Sequence, residues 1–184
     1  MKATTILMDE HRVIERVLGA VEVAAHRLEA GASMRPGFFI DAAEFIQGFA
    51  DGCHHRKEEG VLFKVMVEHG VPTEGGPIGV MLMEHEQGRA YTRAMREAAQ
   101  RLEGGDEAAR AAVAQSALGY AALLRQHIAK EDNVLFPLAE QVIPTAQQAG
   151  LLEAYEQVEH EETGEGVHER YLGLAQRLEA EARG

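Results

Sequence analysis

The chain has 184 residues, with 30 Asp and Glu against 18 Lys and Arg and a net charge of -12. An acidic surface of this kind repels nucleic acid and anionic membranes, so neither is expected as a partner, and no apolar run reaches the ~18 residues of a transmembrane helix. Cys53 is the only cysteine, which excludes an intrachain disulfide. The opening MKATTILMDEH lacks the long apolar stretch and cleavage site of a signal peptide, and together with the single thiol this fits a cytoplasmic location. The length suits one domain, 1–184, with room for a core. Trp is absent, while Ala, Leu, Glu, Arg and Gln are plentiful, so helix is expected throughout.

Taken in order, the first helix is expected from about Thr5 to Ala30. Met8, His11, Ile14, Leu18, Val21 and Ala25 recur at spacings of three and four and form one stripe. Thr4 or Thr5 can cap its start, and Gly31 is a natural stop. His11 falls on the apolar stripe. The second helix is expected over Pro36–Glu68, with an inward stripe of Phe39, Ala43, Ile46 or Gln47, Ala50, His54, Glu58, Val61 or Leu62, and Val65. His55 and Glu59 sit about 100° further round an α-helix. They are expected at the rim, with His55 a reserve ligand. Gly70, Pro72, Gly75, Gly76 and Pro77 break the chain.

A third helix is expected from Ile78 to Leu102 and a fourth from Asp106 to Val142, with Asp106 as its cap. Val113, Ala117, Tyr120, Leu124, His127, Glu131, Val134 and Leu135 face inward along the fourth. Tyr120 reads as a core residue with its hydroxyl satisfied, and Pro137 as a bend. A fifth helix over Ala146–Ala182, interrupted near Gly164 and Gly166, carries His160 and His168 among many glutamates. These two are supplementary ligand candidates at most.

The second and fourth helices share a repeat. HHRKEEGVLF at 54–63 returns as HIAKEDNVLF at 127–136, with six of ten positions identical and an offset of 73 residues. Each copy places His and Glu one helical turn apart on one face, followed by an apolar Val-Leu-Phe anchor. One such pair is ordinarily a surface contact. Two, each tied to the same core anchor, put both pairs at the same depth. The first and third helices repeat more weakly, with His11 and His85 each preceded by a glutamate, Glu10 and Glu84. Both glutamates are candidates to orient histidines from behind.

If the four stripes meet in a core, His11, His54, Glu58, His85, His127 and Glu131 surround one cavity. Two buried facing carboxylates are costly without cations. Zinc takes about four ligands, whereas six with two carboxylates suit two ions, and imidazole with carboxylate suits iron or manganese. Two octahedral ions have about 12 positions. Four histidines, two bridging glutamates and an oxo or hydroxo bridge leave about two for water, dioxygen, peroxide or nitric oxide. The bland alternative is a metal-free His-Glu network. No Ser-His-Asp set is visible, and Cys53 is expected to point off the ligand face.

At these residues the sequence resembles the hemerythrin-like, or HHE cation-binding, family. The motif His, His-x-x-x-Glu, His, His-x-x-x-Glu matches at His11, His54/Glu58, His85 and His127/Glu131. The resemblance implies an all-α, antiparallel up-down four-helix bundle over 1–143, with a C-terminal helical extension over 146–184. It also implies a non-haem centre of two iron ions, with the histidines as terminal ligands and Glu58 and Glu131 as bridges. The oxygen carriers of the family have a fifth histidine one turn after the third-helix ligand, where this chain has Arg89, and Asp where this chain has Glu131. That points away from simple oxygen carriage, toward sensing of or reaction with a small oxidant. The competing expectations are a non-catalytic iron-buffering or oxygen-binding module, and a helical interaction protein with a zinc-filled or empty core.

Overall fold

A computed structural model of the chain describes residues 2–162 and 167–184, and it is helical, with no strand among the described residues. The helices are α1 (Ala3–Glu29), α2 (Pro36–Phe45), α3 (Phe63–Glu68), α4 (Pro77–Glu103), α5 (Arg110–Lys130), α6 (Phe136–Val142), α7 (Gln148–Glu162) and α8 (Val167–Arg183). α2 runs into α3 through two π-helical segments, Ile46–His55 and Glu58–Leu62. α5 runs into α6 through a third, Glu131–Leu135. The chain therefore makes four long rods, then α7 and α8. None of the described helices is long and apolar enough to cross a membrane. The interruption expected near Gly164 and Gly166 lies outside the described residues.

Helix ends follow local chemistry. Gly31 and Gly105 adopt φ of 75° and 95°, a left-handed geometry that only glycine takes at little cost, and the rods stop there. Asp106 caps as expected, accepting the Ala108 N–H at 3.2 Å. The expected threonine cap is not made. Lys2 holds the cap position of α1 without a side-chain capping bond, and the Thr4 hydroxyl donates to Glu140 at 2.7 Å. Pro137 falls in the first turn of α6, where its missing N–H is tolerated.

α1 packs on α5, α5 on α4, α4 on α2, and α8 on α1 and α2. Two apolar clusters fill the interior. One gathers Ile14, Leu18, Phe49, Ala50, Met95, Leu124 and Leu178. The other gathers Leu7, Leu62, Phe63, Met81, Leu135, Phe136 and Tyr155. Leu7, rather than the expected Met8, is the buried residue there, and Met8 is 38% exposed. Along each rod the chemistry-bearing residues fall between the clusters. His11 lies between Leu7 and Ile14, and His54 and Glu58 between Ala50 and Leu62. His127 and Glu131 lie between Leu124 and Leu135. A polar layer is thus sandwiched between apolar ones. Each Leu, Ile or Phe taken from water contributes about 1.5–3 kcal/mol, which offsets the cost of burying that layer.

Candidate metal centre

The layer holds two groups of metal-binding side chains with ligand atoms within 4.8 Å of one another, His11, His54, Glu58 and Glu131 in one and His55, Glu58, His85 and His127 in the other. The six residues read from the repeat are brought together and buried. Glu58 turns Oε1 toward His54 Nε2 at 3.6 Å and Oε2 toward His85 Nε2 at 3.3 Å. Glu131 turns Oε2 toward His11 Nε2 at 3.1 Å and Oε1 toward His127 Nε2 at 3.1 Å. Glu58 therefore belongs to both groups, and Glu131, a member of the first, turns its other oxygen to His127 of the second.

His55 is a correction. It is fully buried, not at the rim, and its ring stacks on His85 with centroids 3.9 Å apart. The cause is the π-helical stretch. An i→i+5 turn is wider than an α turn, so neighbouring positions diverge less and both His54 and His55 face the interior. Glu59 stands at the rim as expected. It is half-buried and bonds His85 Nδ1 at 2.7 Å. Neither supplementary candidate joins the groups. His160 is exposed, and His168 packs on Phe49 at 5.5 Å.

Behind each imidazole stands a carboxylate. Nδ1 of His11 bonds Asp132 at 2.7 Å, and that of His54 bonds Glu10 at 2.9 Å. His55 pairs with Asp51 at 2.8 Å, His85 with Glu59 at 2.7 Å and His127 with Glu84 at 3.0 Å. An ionised carboxylate only accepts, so each Nδ1 carries a proton and Nε2 is the ring nitrogen turned inward. Glu10 and Glu84 were legible in sequence as orienting groups. They serve the histidines of the neighbouring rods rather than those beside them. Asp51 and Asp132 were not singled out, and Glu59 was read only as a rim residue. The one local signal was Asp51 one turn before His55.

Arg89, at the position where oxygen carriers have a histidine, reaches these outer carboxylates. It pairs with Glu59 at 2.6 Å and Asp51 at 3.5 Å. It thus secures the groups that orient His85 and His55. Lys57 bonds Glu10, and Lys130 bonds Glu84. Cys53 lies beside Glu10 and Glu159, off the ligand atoms, and burial pushes its thiol up to about 11.

Most of the inward atoms are unsatisfied. Nε2 of His11, His54 and His55 and both oxygens of Glu58 and Glu131 are buried with no hydrogen-bond partner among the described residues. His85 Nε2 and His127 Nε2 face each other at 3.1 Å, within hydrogen-bond reach. Burial opposes charge on His11 and His85, yet Asp132 and Glu131 hold the first up at about 9, and Glu58 and Glu59 do the same for the second. Glu131 is held well below the usual carboxylate range, against burial, by His127 and His11. Burial, helped by His85, keeps His55 well below its ordinary value and neutral. The carboxylates seek positive charge, and bound metal would supply it in place of protons. Orphaned donors of this kind, imidazole and carboxylate only, fit two first-row cations such as iron or manganese. Tyr120 is core as expected, but its hydroxyl has no partner among the described residues.

The sequence family described as the hemerythrin HHE cation binding domain matches residues 2–139. Among known proteins, the uncharacterized protein Rv1995 of Mycobacterium tuberculosis (strain H37Rv) is 28% identical over 159 residues, 86% of this chain and 62% of its own length. The uncharacterized protein Mb2018 of Mycobacterium bovis shows the same identity and coverage. This chain therefore spans less than two thirds of the relatives it matches. No solved structure matches it.

Proposed function

We propose, from the premise that the chain belongs to the hemerythrin HHE cation-binding family, that it holds two iron ions and uses them to bind or react with a small oxidant, dioxygen, peroxide or nitric oxide. His11 and His54 would hold one ion, and His55, His85 and His127 the other. Glu58 and Glu131 would bridge them. The four rods would form an antiparallel up-down bundle, with α7 and α8 as its cover. Bound iron supplies the redox change that no side chain here can supply.

The protein's own part is orientation and exclusion. Five outer carboxylates fix the imidazole tautomers, which is the usual means of setting ligand basicity. The flanking apolar layers keep water from the centre. The observation that carries this reading is the set of inward Nε2 and carboxylate atoms that are buried and unpartnered, or face one another, while every Nδ1 is bonded. A His-Glu network built only for structure would not leave three buried Nε2 atoms and four carboxylate oxygens without a hydrogen-bond partner. The unequal halves, with two imidazoles against three, favour ligand uptake at the His11/His54 side.

The test is to load the protein anaerobically with ferrous iron, then add dioxygen or peroxide while following absorbance. Near-ultraviolet charge-transfer bands of a ferric centre, with consumption of the oxidant, are expected. An unchanged spectrum with the oxidant intact would contradict the reading.

A further inference from the structure

Tyr155 lies on α7, outside the four rods that carry the ligand groups. It is 1% exposed, and its hydroxyl has no hydrogen-bond partner among the described residues. A buried hydroxyl left unpaired is unfavourable for folding, so its retention calls for something that it binds.

One chain of contacts, through Lys57 and Glu10 to His54, places this phenol on the two-imidazole side. It shares an apolar cluster with Phe136 and Phe63, whose rings stack on His11 at 5.4 Å and on His85 at 6.1 Å. Lys57 Nζ sits 5.9 Å from the Tyr155 ring centroid. That ammonium bonds Glu10, which accepts from His54 Nδ1. α7 itself packs on both π segments of the second rod. Burial, followed by the charge of Glu58, raises the phenol well above its ordinary value, so it remains a donor. Tyr120, the other unpartnered buried phenol, belongs to the opposite apolar cluster and sits nearest in charge to Asp51, behind His55.

Resting on the function proposed above, we infer that the Tyr155 hydroxyl is the hydrogen-bond donor to the small ligand taken up at the His11/His54 side, which makes α7 part of the binding site. The ligand class is a small molecule with a lone pair beyond its attached atom, such as azide, peroxide or nitric oxide. In a site shielded from water such a bond is stronger than at the surface, and it would favour ligands that gain negative charge on binding.

The experiment is an azide titration of the iron-loaded, oxidised protein, comparing wild type, Tyr155→Phe and Tyr120→Phe. Iron per chain and thermal unfolding of the metal-free proteins are measured alongside. Equal iron in all three is expected. Azide should bind about 5- to 10-fold more weakly in Tyr155→Phe alone, the loss of one hydrogen bond. The metal-free variant should melt no lower than wild type, because the hydroxyl it loses is unpaired there. Equal azide affinity in all three, or no azide binding by iron-loaded wild type, would overturn the inference. So would loss of iron confined to Tyr155→Phe, which would make the residue structural. Failure of the wild type to hold iron would strike the metal-centre reading instead.

Discussion

The internal repeat produces two triads, Glu10–His54–Lys57 and Glu84–His127–Lys130, and they differ in depth rather than in chemistry. In both, the glutamate accepts from an imidazole Nδ1 and from an ammonium. The first is sealed. The Lys57 side chain is 0% exposed and also bonds Glu159 of α7 at 2.5 Å. The second is open, with the Lys130 side chain 40% exposed. A second break in the repeat separates the halves further. His55 and Asp51 correspond to Ile128 and Leu124, both apolar core residues. The half with the extra imidazole reaches solvent through its Lys130, and the half with fewer imidazoles is the one whose lysine is covered by α7. Duplication accounts for the shared frame, and a single His–Asp pair with one covering helix accounts for the asymmetry.

The largest effect should come from the element common to both halves. Glu131→Gln removes the charge that faces both groups, and metal affinity should fall by more than about 100-fold, beyond the upper end for outer-shell changes. Elemental analysis after dialysis should then find neither ion retained. Loss of one ion alone would show that Glu131 serves a single half.

The triads themselves are compared next. Lys57→Met leaves Glu10 buried without its counter-ion and should cost about 3–5 kcal/mol. Lys130→Met breaks a half-exposed pair and should cost about 0–1 kcal/mol. Urea unfolding of the metal-free proteins measures both. Similar values would mean that α7 does not seal the first triad.

His55→Ile copies the residue of the other half. Both ions should still bind, with one weakened by at least about tenfold, seen in competition with a chelator. Two equally weakened ions would contradict the assignment of His55 to one half. The smallest change is Tyr120→Phe. Removing an unpaired buried hydroxyl should leave the stability of the metal-free protein unchanged or raise it by about 1 kcal/mol or less, by the same unfolding assay.

How much of this was legible depended on which residues obey α-helical spacing. His11, His54, Glu58, His85, His127 and Glu131 stand on stripes that a 3.6-residue period picks out, and the repeat distinguished His54 from His55. The same period misplaced His55, because the helix widens into π geometry at Ile46–His55. No propensity scale marks that widening. Asp132 orients His11 across 121 positions of sequence, and Glu59 orients His85 across 26. Such partners become visible only when the rods pack. Glu10 and Glu84 could be named because they adjoin histidines, yet each serves a histidine on another rod. α7 and α8 pack on the rods. The contribution of Tyr155 could not be read, since nothing local marks an unpaired hydroxyl.

The most direct test of the central claim is an anaerobic titration of metal-free protein with ferrous iron, followed by elemental analysis of the washed product. The account predicts about two irons per chain, as two ions of unequal affinity taken up with release of protons. One ion per chain, or none retained, would contradict it and leave the buried His-Glu layer as a structural network.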